Sequence, residues 1–251
     1  MSDPVRLAWD SPPTPEALQD AIEALDAAPG PPPRRVEVEL DADAPRRLRH
    51  LLHRHGFRLE GVARQARATA SGFTDVLRYA RLAADPTEPR LLFTAVMNTV
   101  TARKRLIAHA LVTDAAGRVL LCETTFKPDF ELPGGIVEPN ESPAAGLVRE
   151  MDEEMGVVLP AGRILVADWL PPYLGWEDAL ELIFDSGVLD AETAAALVAD
   201  GREIRALHWL EPDAAASTMT EIAGRHLLAA LAARASGETV YLEAGRPPAR
   251  P

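Results

Sequence analysis

Glu150, Glu153 and Glu154 are the residues of this 251-residue chain best placed to do chemistry together. On a helix, positions three and four apart fall on one side, so these three carboxylates converge while Asp152 points away. Like charges at that spacing cost a helix roughly 0.2–0.5 kcal/mol per pair. A divalent cation placed among them removes the repulsion, and carboxylate oxygens suit Mg²⁺ or Mn²⁺. An isolated acidic triplet usually marks nothing more than a solvated face. This one is not isolated.

The flanking residues say what must hold the triplet. Pro133, Gly134 and Gly135 punctuate the end of a strand, and paired glycines let a backbone approach a ligand closely. Ser142 is a good N-cap, Pro143 suits the first helical position, and Gly156 is a natural stop. Between them Ala144, Val148, Met151 and Met155 form one apolar stripe. The expected helix is packed on one side and carries its carboxylates on another.

Counting from Gly135, five residues lead to Glu141 and seven more to Arg149-Glu150; Met151, Asp152, Glu153-Glu154, Met155, Gly156 and Val157 follow. This resembles the Nudix box, G-x5-E-x7-R-E-U-x-E-E-x-G-U with U apolar, and every fixed position is filled. Leu132-Pro133-Gly134 ahead of it is also of the family type. The resemblance implies an α/β/α sandwich with a mixed sheet. It also implies metal-dependent hydrolysis of a nucleoside diphosphate-linked or related pyrophosphate molecule by a pyrophosphohydrolase of the MutT-like kind. Glu153 and Glu154 would be ligands of Mg²⁺ or Mn²⁺, and Glu150 a ligand or the group that helps deprotonate water. The Gly134 carbonyl resembles the family's backbone ligand. Arg149 and Glu141 would orient the glutamates by a salt bridge, with Gly135 supporting the turn. The family's general base often lies in a later loop, where Glu203, just before IRALHWL, is the candidate.

Substrate choice lies outside the box. Tyr173 and Trp176, in a Pro/Gly loop, and Phe130, just before the box strand, could stack on a nucleobase or line its pocket. Trp169, inside VADWLPPY, reads as core. His53 and His55 put their rings on different helix faces and make a poor metal pair. His109 and His208 sit in strand patterns and read as structural. Cys122, the single cysteine, sits in VLLCE and reads as a small buried strand residue.

Composition bounds the rest. Hydrophobic residues make up 47% of the chain, which suits a globular protein. A net charge of −12 argues against duplex nucleic acid as the main partner, since phosphate contacts need basic surface. No apolar run reaches the ~20 residues of a membrane span, and the first residues lack a signal-peptide layout. A cytoplasmic protein with a phosphorylated small-molecule substrate is expected.

The organisation read from the chain is α+β in three stretches: 1–85, a linker over 86–102, and 103–251, which holds the box. Residues 1–13 read as a loose start. A helix is expected over 15–27 after Thr14, a strand over 35–40, a helix over 45–55 capped by Asp43, and strands over 57–66 and 74–82. With HGFRLEGVARQ and DVLRYARL, this order resembles the C-terminal half of a GNAT acetyltransferase. The family's acetyl-CoA loop is replaced by Trp9-Asp10-Ser11-Pro12-Pro13, without glycine and with prolines that lack an N–H. The region is therefore expected to pack or associate, with a homodimer favoured, and not to bind acetyl-CoA. In the second part, strands are expected over 105–113, 118–124, 164–170, 179–184 and 204–210, a short helix over 192–198 and a long one over 220–234. Two other functions fit the pattern: a non-catalytic nucleotide-sensing domain, and a regulatory partner of the acetyltransferase-like module. The intact glutamates favour an enzyme over the first, and the missing phosphate loop weighs against the second.

Overall fold

Strict alternation along 35–40 places Val36, Val38 and Leu40 on one side of a strand, and all three are buried. The computed structural model describes residues 4–9 and 13–249, so Asp10, Ser11 and Pro12 of the acetyl-CoA-loop reading lie outside the described residues. The chain divides into two units, Met1–Ala102 and Arg103–Pro251.

The first unit runs β1 (Val5–Leu7), α1 (Pro15–Asp26), β2 (Arg35–Asp41), α2 (Arg46–Arg54), β3 (Arg58–Thr69), β4 (Gly72–Leu82) and α3 (Pro89–Val100). Its sheet has the order β1-β2-β4-β3, with β1 parallel to β2 and the other pairs antiparallel. Thr14 caps α1 by accepting from the Ala17 N–H at 3.2 Å. Leu18 and Ile22 of α1 and Leu48 and Leu52 of α2 pack with Val36, Val38, Leu40 and Phe57 in one core. Each such side chain contributes about 1.5–3 kcal/mol through burial.

Three expectations for this unit are corrected. Residues 5–7 form a strand, because parallel pairing with β2 supplies the hydrogen bonds that three residues cannot signal alone. Asp43 is not the cap of α2; Pro45 holds that position and no side-chain bond is made there. The stretch 86–102, expected as a linker, carries α3, whose N-cap Glu88 accepts from the Arg90 and Leu91 N–H groups.

The second unit runs β5 (Arg105–Asp114), β6 (Val119–Thr124), β7 (Gly134–Ile136), α4 (Pro143–Met155), β8 (Ile164–Leu170), β9 (Ala179–Leu189), α5 (Ala191–Ala196), β10 (Ile204–Leu210), α6 (Pro212–Thr218), α7 (Glu221–Ser236) and β11 (Val240–Glu243). The sheet order is β10-β6-β5-β9-β8-β11, with β7 added on β5. β5–β9 and β8–β11 are parallel pairs, so the sheet is mixed. Central β5 is buried on both faces. Ala108, Ala110 and Val112 meet Leu147, Met151 and Met155 of α4. Leu111 faces the other way, into the core built with Leu227, Ala230 and Ala233 of α7. Sequence reading missed α6 and β11, and β9 runs five residues beyond the expected end. The kink at Gly187, with φ of +89°, masks that continuation.

Between the sheet and α7 lies a buried polar chain. His226 contacts Asp168 through Nε2, and its Nδ1 lies 3.3 Å from Glu181 Oε2. Glu181 Oε1 lies 2.8 Å from His109 Nδ1. Burial alone would raise the Glu181 carboxyl, but the bonds from His109 and His226 outweigh it and hold it far below its ordinary 4.5. Burial would lower His226, yet Asp168 and Glu181 push it up to about 9. The Glu181 contribution to stability is present above pH 4.5 and lost as pH falls; that of His226 is complete below 6.5 and lost as pH rises through about 9. His226→Gln should therefore destabilise the fold by roughly 3–5 kcal/mol near pH 6, and the deficit should shrink above pH 9. Denaturant melts of both proteins at pH 6, 7.5 and 9.5 measure it.

Candidate active site

The helix that carries the glutamates forms for reasons visible in its ends. Ser142 accepts from the Ala145 N–H at 3.2 Å, and Gly156 closes the helix with φ of +66°. Burial of Leu147, Met151 and Met155 then sets which side looks outward. Glu154 is 7% exposed, the Glu150 side chain 17% and the Glu153 side chain 58%, so the three grade from core to solvent.

The turn before the helix is built around Gly134, whose φ is +124°. A Cβ there would stand 2.2 Å from the Ala108 carbonyl oxygen, so no other residue fits. Gly134 pairs with His109 across β5–β7, and its N–H donates to Glu154 Oε2 at 3.1 Å. A Cβ on Gly135 would come within 3.1–3.2 Å of the Glu150 carboxyl group. The two glycines thus bring the backbone against two of the three carboxylates.

Arg149 ties the cluster together. Its Nε and one terminal nitrogen each donate to Glu141 at 3.1 Å, and the other donates to Glu150 and Glu153 at 3.0 Å. Glu141 also accepts from the Glu138 N–H, and the Arg149 bond lowers its pKa. Glu150 is raised, first by burial and then by Glu153 and Glu203, against the pull of Arg149. Burial pushes Glu154 up to about 8, partly offset by the Gly134 N–H and His109.

Glu150, Glu153, Glu154 and Glu203 line one cavity of about 360 Å³, together with Asp200 and Arg202. The candidate glutamate of the later loop therefore stands with the box glutamates, about 50 residues from them in sequence. Sequence reasoning missed Asp200 and Arg202; the only local signal was the Asp-Gly turn ahead of β10. Among the described residues no three acidic, histidine or cysteine side chains stand together so as to hold a metal ion as they are now arranged. Arg149 engages Glu150 and Glu153, and Gly134 engages Glu154. The donor set is nonetheless all oxygen, and burial first, with the neighbouring carboxylates, raises Glu150 and Glu154. A hard divalent cation fits such a set.

The aromatic candidates stand elsewhere. Tyr173 and Trp176 are 69% and 58% exposed on the β8–β9 loop and line a separate open hollow with Leu174 and Asp178. The Arg105 guanidinium lies 4.3 Å from the centre of the Trp176 ring. Phe130 stacks on His208 at 4.6 Å and packs against the α7-side core. Trp169 is half-buried and donates to Asp178 at 3.1 Å. His53 packs on Tyr79, and His55 pairs with Gln19. Cys122 is buried and its thiol is raised by burial.

A family model described as NUDIX domain matches residues 103–231. A MutT-like protein of Streptomyces ambofaciens is 29% identical over 115 residues, spanning 46% of this chain and 69% of that one. A Bacillus subtilis (strain 168) protein, named provisionally as an 8-oxo-dGTP diphosphatase, is 30% identical over 105 residues, spanning 42% of this chain and 65% of that one. Among solved structures, the crystal structure of a UDP-X diphosphatase superposes with a TM-score of 0.49 at 17% identity, over 64% of this chain and 77% of that one.

The two glycines should respond differently to a methyl group. Gly134→Ala meets backbone and a forbidden φ, and should cost on the order of 3 kcal/mol. Gly135→Ala meets only the end of the Glu150 side chain, and should cost less than about 1 kcal/mol. Urea melts of the two variants beside wild type decide it; equal losses would place the constraint elsewhere.

Proposed function

We propose, from the premise that this chain belongs to the NUDIX domain family and is a Nudix hydrolase, that it cleaves the diphosphate linkage of a small nucleotide-type molecule, a nucleoside diphosphate joined to another group, using Mg²⁺ or Mn²⁺. The observation that carries this reading is the single cavity that collects Glu150, Glu153, Glu154 and Glu203 beside the Gly134 turn. The nucleotide assignment draws on the B. subtilis relative, whose name gives a nucleoside triphosphate as substrate.

Glu150, Glu153, Glu154 and the Gly134 carbonyl would hold the metal. Bound there, it would lower the pKa of water and offset charge growing on phosphorus. Glu203 is assigned the proton: its carboxylate takes it from the attacking water, aided by Glu150. Arg149, anchored on Glu141, keeps Glu150 and Glu153 oriented on the outer side of the helix. Gly135 leaves room for the Glu150 carboxylate to work close to the backbone. Tyr173 and Trp176, with Arg105 braced on Trp176, line a hollow separate from the glutamate cavity and are the proposed stacking surface for the base of a substrate that extends from one to the other. Phe130, held against His208, is proposed to shape the pocket wall.

A panel of nucleoside triphosphates, oxidised nucleotides, ADP-ribose, dinucleoside polyphosphates and sugar nucleotides, assayed with Mg²⁺ for released phosphate or pyrophosphate, identifies the substrate. On the best of them Glu153→Gln and Glu154→Gln should each lower turnover by roughly tenfold or more, with the fold kept. Wild-type turnover by Glu154→Gln, or stronger activity with Zn²⁺ than with Mg²⁺, would sink the assignment.

The first unit is proposed to be an association module related to half of a GNAT fold, with a second copy of the chain as its partner. Phe73, Leu91 and Phe93 are exposed on it, and β3 is an edge strand. Pro13 and the residues before it offer no glycine-rich turn to receive a pyrophosphate. Calorimetric titration of the whole protein with acetyl-CoA should show no binding; a micromolar Kd would overturn this view.

A further inference from the structure

Asp200, which sequence reading passed over, joins the loop that presents Glu203 to the end of α4. Asp200 follows the segment after α5, and its side chain is 10% exposed at the edge of the glutamate cavity. Its own N–H donates to the carbonyl oxygen of Glu154 at 3.0 Å. Its Oδ1 accepts from the N–H groups of Ile204 at 2.9 Å and Glu203 at 3.1 Å. Its Oδ2 accepts from Arg202 Nε at 3.2 Å and again from the Glu203 N–H at 3.3 Å. The Ile204 N–H foremost, with those of Glu203 and Arg202, holds this carboxyl below its ordinary range, so it stays a charged acceptor.

Asp200 therefore touches both sides of the proposed chemistry. Through its backbone it is fastened to the helix residue Glu154, and through its carboxylate to the backbone of Glu203. The Glu203 carbonyl is fastened separately, by the Thr125 N–H at 2.8 Å, and the Arg202 carbonyl by the Thr125 hydroxyl at 2.9 Å. The loop's attachment to β6 thus does not depend on Asp200, and neither does the pairing of Ile204 with Thr124. The segment is tied to the end of α4 by two backbone bonds, from the Val198 N–H to the Met155 carbonyl at 3.2 Å and from the Asp200 N–H to Glu154; what the Asp200 side chain adds is the connection from that anchored residue to the backbone of Glu203. Four charge-assisted bonds from three donors, the Glu203 and Ile204 N–H groups and Arg202 Nε, converge on its carboxylate within residues 200–204.

We propose that Asp200 is a positioning residue for the hydrolysis, setting the separation between Glu154 and Glu203 so that the Glu203 carboxylate faces the site built by the helix. This rests on the assignment of Glu203 as the base. Substituting Asp200 by alanine keeps the N–H bond to Glu154 and removes only the carboxylate. The helix and the loop's attachment to β6 stay as they are, while the Glu203 and Ile204 N–H groups lose the acceptor that ties them to the end of α4. A misplaced base slows the proton transfer and leaves substrate binding largely alone, so the effect falls on kcat.

The test compares Asp200→Ala, Asp200→Asn, Glu203→Gln and the double variant Asp200→Ala/Glu203→Gln, on the best panel substrate with Mg²⁺. Asp200→Ala should lower kcat by about 10- to 100-fold and change KM by less than about threefold. Asp200→Asn keeps an oxygen acceptor for both N–H groups and should return to within roughly fivefold of wild type. The double variant should be no more than about twofold slower than Glu203→Gln, because the two residues act as one unit. Wild-type kcat in Asp200→Ala, an asparagine variant no better than alanine, or multiplying losses in the double variant would each overturn the proposal. Should Asp200→Ala fail to fold, Asp200→Glu is read instead. It keeps the charge and displaces it by one methylene, and a wild-type rate there overturns the proposal equally. If Glu203→Gln is fully active while Glu154→Gln is not, this inference falls and the glutamate site stands. If Glu154→Gln is also fully active, the function itself was misassigned.

Discussion

A buried carboxylate accepting a hydrogen bond from a glycine N–H is the contact on which the second unit's site depends. Glu154 is on the inner side of its helix, and the Gly134 N–H is the hydrogen-bond donor its side chain has there. For that contact to form, the turn must pass directly over β5, where the nearest carbonyl oxygen leaves no space for a Cβ. The turn, the strand and the helix are therefore mutually constrained. Moving one by an ångström would leave a buried charge without its donor, at a cost of a few kcal/mol.

The repulsion among the glutamates is handled in two ways along the helix. Toward solvent, Arg149 shares its donors among Glu141, Glu150 and Glu153, so three negative side chains meet one positive one that is itself braced. Toward the core, the Gly134 N–H and His109 only partly offset the burial of Glu154, whose carboxyl is pushed up to about 8. That difference between the two ends gives the cavity its chemical character: oriented charge at the rim and a buried carboxyl at the floor. On the opposite face of the sheet, the His226 chain solves a similar problem differently, by pairing imidazoles with Asp168 and Glu181 so that the buried charges answer one another. The two devices meet at β5, where His109 belongs to the chain and its backbone pairs with Gly134.

Local structure was legible wherever a short segment carries its own hydrogen-bond answer. Thr14, Ser142 and Thr220 cap the helices they precede, each accepting from the N–H three residues on. Alternation identified β2, because one face of that strand is buried along its length. Where the answer comes from far along the chain, the reading failed. Residues 5–7 are a strand because of β2, and 240–243 because of β8, both by parallel pairing that no local pattern announces. Helix α3 was read as a linker because its cap is a glutamate, a residue that seldom signals a helix start.

By itself the sequence determined the identity and order of the box residues, the helix that carries them, and the oxygen character of the donor set. These follow from spacing along one helix and from one glycine turn, both local properties of the chain. Only the tertiary structure decided how buried each glutamate is, and with it which carboxyl is raised and which is held charged. It alone placed Glu203 in the same cavity, bonded Asp200 to both that loop and the helix, and put Tyr173 and Trp176 in a separate hollow. The reason is physical: desolvation and charge–charge coupling depend on what surrounds a group in three dimensions, and residues about 50 positions apart acquire a common environment only when β10 pairs with β6 and closes the loop against α4.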